Sequence, residues 1–194
     1  MMKRVFKSLV LTGAMAVALA PTPARADGFV TPWVGSAFGS NIDNGRGTFG
    51  VSAGTMGAGV IGGEVDFGYS PSFFGTQNDF GNNSVINLMG NVIVGVPIGG
   101  TSGKGLRPYV VGGLGLIRTQ IDGVNNANLF RPAASNNMLG WDAGAGVMGN
   151  FNDHIGIRGE LRYLRAMQDW NTTSVNFNGD KLHFWRPSIG IVIR

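Results

Sequence analysis

The chain has 194 residues, of which 33 are Gly, none is Cys, 43% are hydrophobic and only 13% are charged. That Gly content is more than twice the ~7% of average proteins. It disfavours a helical bundle, because each Gly inside a helix costs about 1 kcal/mol relative to Ala, while the absence of a Gly-X-Y period excludes collagen and the apolar content argues against bulk disorder. The formal charge of +4 and a pI near 9.9 would ordinarily raise nucleic acid as a partner.

The charge has a local origin. Lys3, Arg4 and Lys7 precede an apolar run from Leu9 to Ala20, and Ala24-Arg25-Ala26 follows. A positive start, an apolar stretch of about a dozen residues and an A-x-A site read as a secretory signal peptide. The run is too short for a spanning helix, which needs about 20 apolar residues, and Pro21, Pro23 and Arg25 close it. The expectation is a signal over residues 1–26, cleaved after Ala26, with residues 27–194 as one domain. The segment carries Lys3, Arg4, Lys7 and Arg25 and no acid, so its removal takes the 15 basic residues to 11, against 11 acidic ones. The remaining chain is neutral, and the nucleic-acid reading falls away.

Beyond it the hydrophobic period is two, the signature of strands with one apolar face. Phe29 to Gly39 is strand-like without clean alternation. Phe49, Val51 and Ala53 alternate with Gly50, Ser52 and Gly54. Gly63, Val65, Phe67 and Tyr69 alternate with Gly62, Glu64, Asp66 and Gly68. Ile86, Leu88, Val92, Val94 and Val96 oppose Asn87, Met89, Asn91 and Gly95. Pro108 to Gln120 is a fifth strand, again unsorted by parity. From Gly140 to Phe151, Trp141, Ala143, Ala145 and Val147 oppose Asp142, Gly144, Gly146 and Met148. Ile157, Leu161 and Tyr163 oppose Arg158, Glu160 and Arg162, and Ile189, Ile191 and Ile193 complete an eighth strand.

The connections alternate in length. Long polar ones are expected at Ser40 to Gly47, Pro71 to Asn83, Asp122 to Asn137 and Asp169 to Asp180. Short ones fall near Gly57, at Pro97 to Arg107 and at Asn152-Asp153-His154. Every second connection is long, so the long loops share one end of an up-and-down sheet and both termini lie at the other. A solvated exterior would be about 25–35% charged, whereas the polar faces here are mostly Gly, Ser and Asn. The small residues suit the cramped interior of an eight-stranded barrel, and the apolar faces suit lipid. The sequence therefore predicts an all-β, eight-stranded antiparallel up-and-down transmembrane β-barrel. Glu64, Asp66, Asp142, Arg158, Glu160 and Arg162 point into its lumen as a charge cluster. They either fill the lumen as a self-satisfied plug or line a selective path or gate; the narrow width favours the plug.

The segments PYVVGGLGLIRTQ (Pro108 to Gln120), GWDAGAGVMGNFNDHIGIRGELRYLRA (Gly140 to Ala166) and the closing FWRPSIGIVIR resemble the small outer-membrane β-barrel family, which includes OmpA-type transmembrane domains, OmpX-like and opacity-type proteins. The resemblance covers essentially all of residues 27–194. It implies residence in the cell outer membrane, with outer-membrane lipid, lipopolysaccharide and the barrel assembly machinery as partners. Members of this family usually end on Phe or Trp, whereas this chain ends Ile193-Arg194.

Apparent catalytic motifs fail on context. Gly144-Ala145-Gly146-Val147-Met148-Gly149 matches G-x-G-x-x-G, but a strand follows where a dinucleotide site needs a helix. Gly103-Lys104 lacks both the earlier Gly and the following Ser or Thr of a phosphate loop. His154 and His183 have no metal-ligand spacing, and neither forms the His-x-Ser pair that a barrel-shaped lipid A deacylase would carry. No catalytic residue, cofactor or metal is expected. Phe73, Phe74, Phe80, Phe130 and Trp170 interrupt the polar loops; they form an adhesive patch or pack loop bases and anchor at headgroups. The functional expectation is a monomeric, non-enzymatic outer-membrane protein with a structural or adhesin-like role, open to an extracellular ligand through its loops. A narrow porin-like channel is the second reading and a lipid-modifying enzyme the third.

Overall fold

The computed structural model describes residues 26–39, 42–73, 82–99, 104–122, 134–167 and 181–194. Its strands are β1 (Ala26–Gly39), β2 (Ile42–Gly57), β3 (Ile61–Pro71), β4 (Asn82–Gly95), β5 (Gly105–Asp122), β6 (Ala134–Asn150), β7 (Ile155–Ala166) and β8 (His183–Ile193). Each pairs antiparallel with its chain neighbour, and β8 pairs with β1 to close a barrel. Closure leaves no sheet edge, the condition under which a β-structure can satisfy its backbone groups inside lipid.

The faces follow the two-residue period. Val34, Val51, Val92, Val110, Leu114, Ile157, Ile189 and Ile191 stand outward and exposed, while Glu64, Asp66, Asp142, Arg158, Glu160 and Arg162 are buried inside. That is the inverse of a water-soluble fold. An apolar surface of this extent is tolerated only against lipid or a partner. No helix of the described residues is long and apolar enough to cross a membrane; the strands supply the crossing.

The short connections share one end, here the turn end. Ala58 and Gly59 both take positive φ, 48° and 68°, to reverse the chain between β2 and β3. Between β6 and β7 the Asn152 Oδ1 accepts from the backbone N–H groups of His154 and Ile155, both at 2.8 Å, closing an Asx turn. The connections from β3 to β4, β5 to β6 and β7 to β8 lie at the other, loop end. There the structure corrects one expected loop. Of the stretch Ser40 to Gly47, residues 42–47 belong to β2: Ser36 pairs with Gly47, Ala37 with Arg46 and Gly39 with Ile42. Apolar alternation stops where lipid stops, but backbone pairing continues into water, so β2 outruns its hydrophobic signal.

Inside, two apolar clusters occupy the two ends. Ala37, Phe73, Val85, Met89, Ile117, Met138, Leu164 and Phe184 belong to the loop-end layer. Phe29, Met56, Ile93, Tyr109, Val111, Met148 and Val192 form the turn-end layer. The charges lie between them: along β6 the inward residues run Met138, Asp142, Met148, and along β8 they run Phe184, Arg186, Val192.

Candidate functional site: an ionic waist in the lumen

Every strand contributes an inward side chain to the waist, with β3, β4 and β7 contributing more than one, and its centre is Arg162 on β7, which is fully buried. Strand residues two apart share a face, so the spacing 158, 160, 162 stacks Arg, Glu and Arg along one inner wall. Arg162 Nε donates to Glu160 Oε1 at 2.8 Å, Nη1 to Asp142 Oδ2 at 2.8 Å and Nη2 to Glu64 Oε1 at 2.8 Å. Its Nη1 also lies 3.7 Å from Asp66 Oδ2. One guanidinium thus meets four carboxylates drawn from β3, β6 and β7, using the fork geometry that suits Arg and not Lys.

A second guanidinium, Arg158, bridges Glu64 and Glu160. Its Nε donates to the Tyr109 hydroxyl at 2.6 Å, and that hydroxyl donates on to Glu160 Oε2 at 2.8 Å. The guanidinium carbon sits 4.9 Å from the Tyr109 ring centroid and 6.0 Å from that of Phe29. Toward the opposite wall, Asp66 accepts from Arg186 Nη2 at 2.7 Å, Ser52 Oγ at 2.8 Å, Trp33 Nε1 at 3.1 Å and Asn87 Nδ2 at 3.2 Å. Arg186 lies 4.2 Å over the Trp33 ring. With its nitrogen turned to Asp142 (2.8 Å), the Asn91 amide accepts from Arg162 Nη1 at 2.6 Å.

Glycines make this density of charge possible. A Cβ on Gly68 would stand 2.4 Å from Asn87 Oδ1 and 2.8 Å from Arg186 Nη1. One on Gly146 would stand 2.4 Å from the Tyr109 hydroxyl. The absent side chains are the space in which the polar groups meet.

The structure brings all six charges singled out in the sequence into one network. It also adds to them. Arg186, 1% exposed, is the partner of Asp66, and Arg107, 2% exposed, lies toward the turn end with Nη1 directed at Met56 Sδ (3.8 Å). The buried charges among the described residues are therefore four acids and four arginines, not four acids and two. Parity extended back along β8 from Ile189 would have found Arg186, since Trp185 and Pro187 take the outward positions. Trp33 and Tyr109 were hidden because β1 and β5 carry large apolar groups on both faces.

Of the loop aromatics, only Phe73 is described. It is buried, not displayed: its ring packs edge-on against Phe184 at 5.1 Å and 72°, within the loop-end layer. The chain turns inward there through Ser72, at φ 49°, whose N–H donates to the Asn83 carbonyl at 2.7 Å. Phe74, Phe80, Phe130 and Trp170 lie outside the described residues. His154 sits in a turn-end turn and His183 begins β8 at the loop end, so the two are at opposite ends of the barrel. Among the described residues no group of His and acidic side chains could hold a metal ion. Gly144 to Gly149 lies within β6, where its glycines serve packing.

A family model described as the outer membrane protein beta-barrel domain matches residues 9–184. Comparison with curated protein sequences finds no match. Among solved structures, Neisserial surface protein A (NspA) aligns with a TM-score of 0.64 at 16% identity, covering 86% of this chain and 96% of its own. Ail, the attachment invasion locus protein of Yersinia pestis, solved with the heparin analogue sucrose octasulfate, aligns at 0.51 and 14% identity, covering 86% and 99%. The N-terminal β-barrel domain of Pseudomonas aeruginosa OprF aligns at 0.50 and 18% identity, covering 87% and 98%. These likenesses speak to the fold.

Proposed function

The chain belongs to the outer-membrane β-barrel family, and from that premise we propose a non-enzymatic barrel, sealed along its axis, that acts structurally or in surface interaction through its long connections. Residues 1–26 are the export signal on this reading, removed after Ala26, and the neutral remainder is what the outer membrane receives.

The observation that carries the sealed reading is the layering of the lumen. Arg162, at 0% exposure, is held by carboxylates from three strands, and apolar clusters close both ends above and below it. A conducting path would need water beside these groups. Here protein partners replace it, which is how a buried charge escapes a desolvation cost of several kcal/mol. With the interior filled, the loop end is where a barrel of this kind can differ from others. His154 and His183 are too far apart in the barrel to serve one catalytic centre, which supports the non-enzymatic reading.

The test is Arg158→Ala in the folded barrel. It leaves Glu64 and Glu160 without one of their cations, so the denaturant midpoint of the heat-modifiable band should fall while planar-bilayer current stays at baseline. A large new pore with undiminished stability would overturn the proposal in favour of a channel. A lipid A mass shift on overexpression would replace it with an enzyme.

A further inference from the structure

Four prolines lie in the strands, and two of them stand at ladder ends. Pro71 closes β3, and Pro108 lies past the last rung of the β4–β5 ladder, Gly95 with Tyr109. The other two, Pro32 on β1 and Pro187 on β8, occupy strand interiors. In an antiparallel pair the N–H and C=O of one residue point to the same neighbour. The Pro32 carbonyl oxygen would stand 2.7 Å from a Cβ on Gly190, and the Pro187 carbonyl oxygen would crowd one on Gly35. Both prolines therefore turn their backbone polar edge to the seam between β1 and β8, where each lacks the N–H that a ladder uses. The seam shows the loss. Val30, Trp33, Val34, Gly35 and Phe38 pair with Ile193, Gly190, Ile189, Ser188 and Trp185 in one register, but Thr31, Pro32, Ser36 and Ala37 have no rung. That register sets Pro32 opposite Ile191 and Pro187 opposite Ser36, so each gap falls on a proline. On their other sides Pro32 pairs with Val51 and Pro187 with Leu161. The ladders from β2–β3 round to β7–β8 run without a break.

We infer that the β1–β8 seam is a built-in line of opening, along which the folded barrel parts sideways, and that Asp66 is its clasp. The first and last strands share no turn, so only their ladder and their side chains hold them together. The carbonyls of Ile191 and Ser36 lose their ladder donor, and lipid supplies none in its place. Behind the gaps, Thr31 Oγ1 and Arg186 Nε are buried without a hydrogen-bond partner. The seam is thus short of partners on its inner side as well as in its ladder. What closes it from within is one carboxylate on a third strand: Asp66 on β3 accepts from Trp33 Nε1 of β1 and from Arg186 Nη2 of β8, and Arg186 lies over the Trp33 ring. Stability is uneven across a fold, and the element with the fewest backbone bonds opens first. The waist stays shut meanwhile, because Arg158 and Arg162 tie β7 to β3 and β6 without using β8. Beyond being sealed along its axis, the barrel gives way at its side.

The experiment is amide hydrogen exchange of the mature chain folded in phosphatidylcholine nanodiscs, read residue by residue by NMR. The seam amides of Val34, Ser36, Ile189 and Ile191 exchange about 10-fold faster than those in the middle of the unbroken β4–β5 ladder, Met89 to Val92 and Gly112 to Gly115. Replacing both prolines, Pro32→Val with Pro187→Val, supplies the two missing donors and slows the seam by about 10-fold, while β4–β5 is unchanged. Trp33→Phe keeps a ring beneath Arg186 but removes the bond to Asp66, and it speeds the seam by about 5-fold. Equal exchange at the two ladders in wild type, or no slowing in the double proline variant, overturns the line of opening. Unchanged seam exchange in Trp33→Phe overturns the clasp. The sealed axis stands in either case, since it is tested by current and not by exchange.

Discussion

The end layers and the waist of the lumen are built from different physics, although they share strands and lie a few residues apart. On β8, Phe184 packs edge-on against Phe73, while Arg186, two residues on, is held by Asp66 and the face of Trp33. The end layer behaves as an ordinary core: its contacts are non-directional, and volume matters more than identity. The waist is directional and collective. Losing Arg162 removes a cation from carboxylates on three strands at once and leaves Asp142 with no other arginine partner among the described residues. The contrast explains how a narrow barrel holds charges inside. The ends exclude water, and the charges of the middle then find their partners in protein, Arg186 Nε being the guanidinium nitrogen of the waist left without one.

Substitutions separate the two regimes. The largest effect is expected at the hub: Arg162→Ala should destabilise the folded barrel by about 3–5 kcal/mol, the range for breaking a buried ion pair on one side, read from the urea midpoint of the heat-modifiable band. Phe184→Ala in the end layer should cost about 3 kcal/mol, yet Phe184→Leu less than about 1.5 kcal/mol. No comparable conservative replacement exists for Arg162, so Arg162→Lys failing to recover most of the loss would sharpen the contrast, and full recovery would break it. Arg186→Lys should cost about 1 kcal/mol, since an ammonium keeps the charge near Asp66 but loses the planar stacking on Trp33. Smallest of all, Arg165→Ala at an exposed outward position of β7 should change stability by no more than about 0.5 kcal/mol.

Much of this was legible in the chain because a strand repeats every two residues. Glu64 and Asp66 in β3, and Arg158, Glu160 and Arg162 in β7, declared their inward face because their neighbours Val65, Phe67, Ile157 and Leu161 declared lipid. Legibility failed where that opposition fails. β1 puts Val30 and Val34 outward but Phe29 and Trp33 inward, so both faces read as apolar. Pro187 took an outward place in β8 and masked the alternation that would have revealed Arg186. Phe73 was visible as an aromatic in a polar stretch, but its direction is set by the turn at Ser72 and by the pocket beside Phe184, which no local pattern encodes. Residues 42–47 show a further limit: where lipid ends, pairing goes on without the hydrophobic mark that predicts it.

Protein side chains fill the axis of the barrel at its waist. Ion current through wild-type protein inserted in planar bilayers, with folding verified by the heat-modifiable shift, tests it most directly. A closed baseline with no stable unit conductance is expected. A steady ohmic current through the folded wild-type barrel, altered in ion selectivity by Asp142→Asn or Glu64→Gln, would contradict it.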